Sequence, residues 1–399
     1  MTSKPHIAVI GAGAFGGWTA LYLLRAGARV TLLDAWGPGN SRSSSGGETR
    51  VIRGVYGPSQ PYTALAARAM QLWREHEANW QRQFFFPIGV LWMIEDKDKD
   101  KDKSKSKSND EFERGSLSLL KNAGISFEEL SARELARRWP QINFENVSWG
   151  IYEPHSGYLL ARASTRAVVD RLVAAGGNYR QAAVIPAPDD AALDSSQWKS
   201  LSLSDGSQLS ADVYVFACGP WLGKLFPQTV GPHFASTRQD VFFFGPPPPT
   251  TSNHARYNEG NIPVWADHGE RFLYGIPGNE ARGFKIADDT RGPAFDPTSG
   301  ERLPDPDRLA ETRRYLAHRF PGMKGAPLLE SRVCQYEDTT DHNFILDRHP
   351  ARPEVWLVGG GSGHGFKHGP ALGEMAAQLI LKEGSALRAY QLSRFQKRH

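Results

Sequence analysis

Three glycines and one acid in the first 34 residues have the types and spacing needed to bind a dinucleotide. Gly11, Gly13 and Gly16 form the pattern G-x-G-x-x-G, and Asp34 follows 18 positions after Gly16. The first glycine permits a tight turn, the second lets the backbone approach a pyrophosphate, and the third allows close helix packing. An acid at about this distance suits the hydroxyls of a ribose. The pattern therefore predicts dinucleotide binding rather than a glycine-rich turn in an unrelated sheet protein.

These residues need a strand, a turn, a helix and a second strand to position them. Residues 6–10 form an apolar run of the length of a buried parallel strand, and residues 14–26 follow with helical spacing. A second strand over residues 29–33 leads to the acid. The helix N-terminus would present free N–H groups and a positive dipole end to phosphates. Residues 7–24 carry no charge, which would also fit a membrane span, but five glycines at motif spacing make that the poorer explanation.

Composition and charge exclude several classes of protein. The 399 residues, 40% hydrophobic and 23% charged, are typical of a soluble globular chain with two or three domains. The net charge of +4 suits small anionic ligands, and no basic stripe indicates nucleic acid. Two cysteines provide neither a disulfide framework nor a metal cluster, so we expect a reducing compartment and no metal. With no visible secretory signal, we expect a cytoplasmic protein that does not span a membrane.

The rest of the chain alternates predicted strands and helices around one charged segment. Helical spacing predicts helices over residues 62–83, 111–139, 157–175, 305–320 and 371–381. Apolar runs predict strands at residues 84–94, 211–216, 234–244, 271–276, 283–286 and 354–358. Aspartate or serine alternates with lysine from residue 96 onward, so we expect residues 96–109 to form a flexible charged loop.

Several other residues could do chemistry but also have ordinary structural explanations. Cys218 lies in an apolar strand, which fits a buried small hydrophobe, whereas Cys334 lies between charged and aromatic neighbours. Lys367 lies within a run of glycines and has no evident packing role other than solvent exposure. His364, in the same run, could be a catalytic base or could simply shape the glycine loop.

Four blocks of sequence together resemble the glycine-oxidase and D-amino-acid-oxidase superfamily of flavoproteins. The chain is most similar to its monomeric sarcosine oxidase and N-methyl-amino-acid oxidase branch, which neighbours the fructosyl-amino-acid oxidases. The first block is unspecific alone, but the last three together are specific, and the four span nearly the whole chain in the family's order. The blocks are residues 11–34, residues 46–57, residues 274–277 with 283–286, and residues 334–336 with 344–347 and 362–367.

The resemblance implies FAD rather than NAD as the cofactor, and it implies a fold class. We expect an α/β protein, α+β overall, with a Rossmann-type FAD-binding domain and a second substrate domain built on a mostly antiparallel sheet. The FAD-binding domain would be discontinuous, formed by residues 1–85, 145–222 and 331–399. The substrate domain would be formed by residues 86–144 and 223–330.

The resemblance also implies roles for individual side chains. It implies that Cys334 carries a thioether to the flavin, that Lys285 serves oxygen activation, and that Arg53 and Lys367 hold the substrate carboxylate. It further implies that Arg50 lies against the flavin, while Tyr274 and Tyr336 are walls of the substrate pocket. The cofactor-binding positions are expected to be Gly11, Gly13, Ala14, Phe15, Gly16, Asp34, Ser43, Ser44, Thr49, Arg50, Cys218, Gly219, Trp221, Cys334, Gly361, Gly363, His364, Gly365, Phe366 and Lys367.

One position departs from the sarcosine oxidase pattern. Four residues beyond Lys285, where those enzymes have a pocket histidine, this chain has Asp289, and fructosyl-amino-acid oxidases tend to have an acid there. A buried carboxylate needs partners, so Asp289 would pair with Lys285 or accept hydrogen bonds from a substrate with hydroxyls or a second cation. The second option favours a catalytic role and a larger, more polar substrate than sarcosine. Trp265 and Phe242 would add aromatic surface to that pocket.

The resemblance thus implies an enzyme that oxidises a secondary amine bearing a carboxylate to an imine and reduces oxygen to hydrogen peroxide. Its partners would be the small-molecule amine and oxygen, and it would be a monomer. Four alternatives stay open from the sequence: a flavin dehydrogenase that passes electrons to a carrier, a primary or fructosyl amino-acid oxidase, an NAD-dependent reductase, and a flavin-holding subunit without turnover.

Overall fold

The computed structural model describes residues 4–95, 110–185, 200–247, 256–269, 271–382 and 384–396; the predicted charged loop at 96–109 lies outside them. The strands within these ranges are β1 His6–Ile10, β2 Arg29–Asp34, β3 Thr49–Ile52, β4 Phe85–Phe86, β5 Val90–Glu95, β6 Glu128–Ser131, β7 Val147–Glu153, β8 Gly157–Leu160, β9 Asn178–Gln181, β10 Val184–Ile185, β11 Leu201–Leu203, β12 Gln208–Leu209, β13 Val213–Phe216, β14 Phe234–Phe244, β15 Val264–His268, β16 Phe272–Ile276, β17 Phe284–Asp288, β18 Leu328–Thr339, β19 Ile345–His349 and β20 Arg352–Gly359. The α-helices within them are α1 Ala14–Arg25, α2 Gln60–Trp80, α3 Glu111–Asn122, α4 Ala132–Arg138, α5 Ala161–Ala174, α6 Leu222–Leu225, α7 Pro306–Arg319 and α8 Gly369–Lys382.

A mostly parallel sheet carries the glycine motif. Its order within the described residues is β19-β20-β13-β1-β2-β9, and only the β19–β20 pair is antiparallel there. Ile7, Ala8 and Val9 of β1 are fully buried because the sheet is covered on both faces. Helix α1 packs against α5 and α8. The strand, turn, helix and strand predicted for the start of the chain are thereby present.

A second, largely antiparallel sheet has the order β18-β14-β17-β16-β15-β5-β7-β6 among the described strands. Side chains alternate between its two faces. Phe284 and Ile286 of β17 enter an aromatic core with Phe320, which follows α7, whereas Lys285 between them faces the opposite side. The α/β class with a mostly antiparallel second sheet is therefore confirmed.

Three features of the fold differ from the sequence-based expectation. The region 111–139 is not one helix, because α3 ends at a left-handed Gly124 and strand β6 precedes α4. The segment 157–175 begins with strand β8 before α5. Strand β7 joins the antiparallel sheet, although the sequence assigns residues 145–222 to the FAD-binding domain. The division into two domains stays a prediction.

No helix within the described ranges is long and apolar enough to cross a membrane. Strand β3 lies in a small sheet of order β3-β8-β4, which places Thr49 and Arg50 beside the antiparallel sheet, where Lys285 contacts the Thr49 carbonyl.

Candidate active site

A cavity of about 450 Å³ is lined by residues of both large sheets. Gly11, Asp34 and the start of α1 line it from the parallel sheet, and Tyr274 and Tyr336 line it from the antiparallel sheet. Most predicted site residues border this space: Gly11, Gly13, Ala14, Phe15, Asp34, Ser43, Ser44, Arg50, Arg53, Cys218, Gly219, Trp221, Tyr274, Asp289, Cys334, Tyr336, Gly361, Gly363, His364, Gly365, Phe366 and Lys367.

The glycine turn is packed too closely for other residues at two of its three positions. Gly11 has φ +107°, and a Cβ there would lie 2.3 Å from the Ala217 carbonyl oxygen. A Cβ on Gly16 would lie 1.9 Å from the carbonyl oxygen of Gly11. A Cβ on Gly13 would meet nothing nearer than the Ser45 hydroxyl at 3.5 Å, so its backbone is open to the cavity. This arrangement leaves room for a pyrophosphate at the start of α1.

Asp34 lies at the end of β2, on the same side of the cavity. Its carboxylate accepts hydrogen bonds from the backbone N–H of Ala12 at 2.8 Å and of Trp36 at 2.9 Å. Burial raises the pKa of Asp34 above its ordinary value, and these hydrogen bonds oppose that rise. Each carboxylate oxygen has a further lone pair, which can accept a ribose hydroxyl.

Cys218 lies close to this end of the cavity, and its surroundings are those of a packed thiol. Its Sγ donates to the Ile10 carbonyl oxygen at 3.4 Å. Burial, and then the charge of Asp34, raise the pKa of Cys218. Cys218 is therefore held as a neutral thiol in the cavity wall.

Cys334 has a different setting, beside a fixed positive charge. The Arg50 guanidinium donates to Cys334 Sγ at 3.4 Å, to the Ser44 carbonyl oxygen at 2.7 Å and to the Thr49 carbonyl oxygen at 2.9 Å. The Thr49 hydroxyl oxygen is buried and has no hydrogen-bond partner among the described residues. The Cys334 sulfur and the Arg50 cation thus meet in the wall of the cavity.

Lys285 lies behind this group and does not itself border the cavity. It is 2% exposed, and its Nζ donates to the Thr49 carbonyl oxygen at 2.9 Å and lies 5.8 Å from the Tyr274 ring centroid. Burial, and then the positive charge of Arg50, lower the pKa of Lys285 well below its ordinary value. No carboxylate forms an ion pair with it among the described residues.

Arg53 and Lys367, called the carboxylate clamp after the role that the sequence resemblance predicts for them, converge on Tyr56. The Arg53 guanidinium lies 4.3 Å from the Tyr56 ring centroid, and Lys367 Nζ donates to the Tyr56 hydroxyl at 2.9 Å. Lys367 also donates to the His364 carbonyl oxygen at 2.8 Å and is 5% exposed. Burial, and then the charge of Arg53, lower the pKa of Lys367 well below its ordinary value. An anion between these two cations would relieve their repulsion.

Asp289 has protein partners, but Lys285 is not one of them. Its carboxylate accepts from the Tyr336 hydroxyl at 2.7 Å and from Arg291 at 3.2 Å. Burial raises its pKa, and the bond from Tyr336 opposes that rise. Of the two alternatives left open by the sequence, the pairing of Asp289 with Lys285 is absent, because the lysine donates to the Thr49 carbonyl oxygen instead. Arg291, which the sequence analysis missed, lies two positions further on and could have been found as a cation near the acid.

Of the two residues predicted to add aromatic surface to the pocket, Trp265 borders the cavity and Phe242 does not. The Trp265 ring stacks on Phe284 with centroids 6.1 Å apart, and Phe242 lies in the same core. Both belong to the face of the antiparallel sheet that points away from Lys285. Phe112 and Phe272 also border the cavity, one from α3 and one from β16.

The glycine-rich loop at 359–369 brings His364 to the cavity. Burial, and then the charge of Lys367, lower the pKa of His364 well below its ordinary value. Its Nδ1 is buried without a hydrogen-bond partner among the described residues. The ring is neutral at pH 7, so it does not add a third charge to the clamp.

Glu337 is a further cavity residue that the sequence analysis missed, although it adjoins Tyr336. It accepts a hydrogen bond from the Ser44 hydroxyl, and burial raises its pKa to about 7.

The residues of the cavity fit FAD. The open glycine backbone and Asp34 lie at one end, where a dinucleotide would place its phosphates and ribose. His364, whose buried Nδ1 has no hydrogen-bond partner among the described residues, also borders the cavity, and the polar atoms of a flavin ring would supply such a partner.

Comparisons with known proteins agree with this geometry. The family model for FAD dependent oxidoreductases, DAO, matches residues 6–379. Monomeric sarcosine oxidase from Bacillus sp. (strain B-0618) is 28% identical over 388 residues, covering 96% of this chain and 93% of that protein. N-methyl-L-tryptophan oxidase from Salmonella dublin is 28% identical over 401 residues, covering 98% of this chain and 99% of that protein.

Solved structures share the fold over nearly the whole chain. L-proline dehydrogenase from P. horikoshii superimposes with a TM-score of 0.79 at 21% identity, covering 99% of this chain and 98% of that chain. Fructosyl peptide oxidase from E. terrenum superimposes with a TM-score of 0.77 at 22% identity, covering 98% of this chain and 92% of that chain. The predicted resemblance and the predicted flavin enzyme are confirmed, and the NAD-dependent reductase is excluded. The chain belongs to the DAO family of FAD-dependent oxidoreductases.

Proposed function

We propose that this enzyme oxidises a secondary amine bearing a carboxylate, an N-substituted amino acid, to an imine, and that oxygen is reduced to hydrogen peroxide. The convergence of Arg53 and Lys367 on Tyr56 carries the proposal, because a buried ammonium and a partly buried guanidinium that line the same cavity suit a carboxylate. The names of the two relatives at 28% identity, which act on N-methyl amino acids, support it.

The clamp would bind and orient the substrate. Each charge-assisted hydrogen bond to a carboxylate contributes about 1.5–3 kcal/mol. With the carboxylate fixed at two points, the amine and its α-carbon are held in one orientation, which lowers the entropic cost of reaction. Tyr274 and Tyr336 line the cavity on the side of the antiparallel sheet.

FAD, when bound, supplies the acceptor for the two electrons of the substrate C–H bond and passes them to oxygen. Lys285 would assist the oxygen step, since a cation in a site with little water stabilises negative charge that develops near it. Among the described residues its hydrogen-bond partner is the neutral Thr49 carbonyl, and no carboxylate there forms an ion pair with it.

We further propose that Cys334 forms a thioether to FAD. Both cysteines border the cavity, and each Sγ donates to a backbone carbonyl oxygen, but only Cys334 Sγ also lies beside a cation, at 3.4 Å from the Arg50 guanidinium. Joining a thiol to a methyl carbon releases two electrons and two protons in all, and oxygen would take them up as hydrogen peroxide.

A screen of amines tests the proposed activity. Holoenzyme is incubated with sarcosine, larger N-substituted amino acids, primary amino acids and fructosyl amino acids, and hydrogen peroxide and imine-derived products are measured. Peroxide formed with secondary amines supports the proposal. Flavin reduction without peroxide would indicate a dehydrogenase, reaction with primary amines alone would indicate the related oxidase, and no reduction by any amine would indicate a subunit without turnover.

A further inference from the structure

Glu153, at the end of β7, is a buried carboxylate held entirely by neutral donors. It is 0% exposed, and no ion pair among the described residues includes it. One carboxylate oxygen accepts from the backbone N–H of Gly54 and from the Ser156 hydroxyl, each at 2.7 Å. The other accepts from the Trp92 indole at 3.3 Å and from the backbone N–H of Val55 at 3.4 Å.

Such a group is costly to bury. An ionised carboxylate removed from water lowers stability unless hydrogen bonds or an ion pair compensate, and neutral donors compensate only in part. Burial raises the pKa of Glu153, and the hydrogen bonds and the charge of Arg53 oppose that rise. The position of this carboxylate therefore calls for an explanation other than general stability.

The groups that Glu153 holds are those that position Arg53. Gly54 follows Arg53 in the chain, and the carbonyl oxygen of Val55 accepts a hydrogen bond from the Arg53 guanidinium. The same guanidinium lies 4.8 Å from the ring centroid of Trp92. Glu153 thus fixes the backbone beyond Arg53, the carbonyl it bonds to and the ring it stacks on.

We infer that Glu153 is a positioning residue that sets the orientation of Arg53 for a substrate carboxylate. This inference rests on the proposed role of the carboxylate clamp. Glu153 does not touch the substrate itself and acts through Gly54, Val55 and Trp92. Its field also reaches Lys367, where burial and Arg53 lower the pKa of the ammonium and the carboxylates of Asp289 and Glu153 oppose that effect.

The test replaces Glu153 with glutamine and measures binding of acetate. Glutamine has one acceptor oxygen and one donor NH₂ group, so one pair of donors loses its acceptor. Acetate is titrated into holoenzyme and the change in flavin absorbance gives Kd, which should rise about tenfold, the equivalent of one hydrogen bond of about 1.4 kcal/mol. The KM of the amine substrate should rise similarly, while kcat stays within threefold of the wild-type value.

A double variant distinguishes positioning from a general structural role. In an Arg53→Ala background, Glu153→Gln should raise the acetate Kd by less than twofold, because the side chain that it positions is absent and only the effect of the Glu153 charge on Lys367 remains. Glu77 provides a matched control, since it accepts from the backbone N–H groups of Phe84 and Phe85 and its pKa is likewise raised by burial. Glu77→Gln should lower the free energy of unfolding and leave the acetate Kd within twofold of wild type.

Other outcomes would overturn the inference. An acetate Kd within twofold of wild type in Glu153→Gln, or an effect that adds fully to that of Arg53→Ala, makes Glu153 structural only. If Glu153→Gln does not fold, Trp92→Phe keeps a smaller aromatic ring at this position and removes the indole N–H that donates to Glu153. An unchanged acetate Kd there refutes the inference, and a severalfold rise supports it. Failure of wild-type holoenzyme to bind acetate would instead refute the proposed role of the carboxylate clamp, and with it the proposed function.

Discussion

Replacing Lys367 with methionine should weaken the binding of a simple carboxylate by about 10- to 150-fold at pH 7. Methionine keeps most of the volume and removes the ammonium that donates to the Tyr56 hydroxyl at 2.9 Å and to the His364 carbonyl oxygen at 2.8 Å. A charge-assisted hydrogen bond contributes about 1.5–3 kcal/mol, and about 1.4 kcal/mol corresponds to a factor of ten in Kd. Arg53 remains in this variant, so binding is weakened rather than abolished.

The pH dependence of the same variant provides a second signature. Burial, and then Arg53, lower the pKa of Lys367 in the folded protein, so the free site loses its proton below the range of an exposed lysine. Carboxylate affinity should therefore decline as the pH rises through that lowered pKa, and in Lys367→Met this decline should be absent. Between the folded and unfolded pKa values the unfolded chain binds more protons, so Lys367 makes the free energy of unfolding rise with pH in that window. In Lys367→Met the free energy of unfolding should lack this rise with pH.

Acetate titrations of holoenzyme between pH 6 and 10, followed by flavin absorbance, measure the affinity, and urea unfolding at the same pH values measures the stability. Lys324→Met, at an exposed lysine, is the control and should change neither. If Lys367→Met binds acetate as wild type does and retains the alkaline decline, Lys367 does not hold the carboxylate, and the reasoning from its contact with Tyr56 fails.

Three further predictions concern the other parts of the site. Lys285→Met should slow reoxidation of the reduced flavin by oxygen at least tenfold, the effect of about 1.4 kcal/mol of lost charge stabilisation, while anaerobic reduction by substrate changes little; equal slowing of both would make Lys285 structural. After denaturation and precipitation, flavin should stay in the pellet for wild type and Cys218→Ser and move to the supernatant for Cys334→Ser; release from wild type contradicts the thioether. Because the Asp289 carboxylate accepts a hydrogen bond from Arg291, Asp289→Asn should lower peroxide formation from sarcosine and from larger polar N-substituted amino acids by similar factors. A loss confined to the polar substrates would instead indicate that they contact Asp289 directly.

The first 34 residues could be interpreted from sequence because their contacts are local. A buried strand, a turn that needs glycine and a helix that begins at the turn are all specified within one short segment. The close approach of Gly16 to the Gly11 carbonyl involves residues five positions apart. The single helix predicted over residues 111–139 was wrong because a local signal was overlooked. Its apolar spacing continues through Gly124, but a left-handed glycine ends a helix whatever spacing follows.

The partners within the site could not be predicted in the same way, because they lie far apart in the chain. Lys367 bonds to the hydroxyl of Tyr56, 311 positions away, and Lys285 bonds to the carbonyl of Thr49, 236 positions away. Spacing and composition do not determine such pairs; they follow from the order of strands in the two sheets. The resemblance to a family supplied the roles, but it could not supply Arg291 as the partner of Asp289, because that pair belongs to the position where this chain departs from the pattern.

The two buried lysines of the site, Lys285 and Lys367, have the same kind of electrostatic environment. Lys285 and Lys367 are both nearly inaccessible, both have lowered pKa values, and neither forms an ion pair with a carboxylate among the described residues. Each instead has an arginine nearby, Arg50 for one and Arg53 for the other, which raises the cost of its charge further. A buried cation arranged in this way is stabilised when an anion arrives. The proposed reaction provides one for each: the substrate carboxylate at Lys367, and the negative charge that develops on oxygen at Lys285.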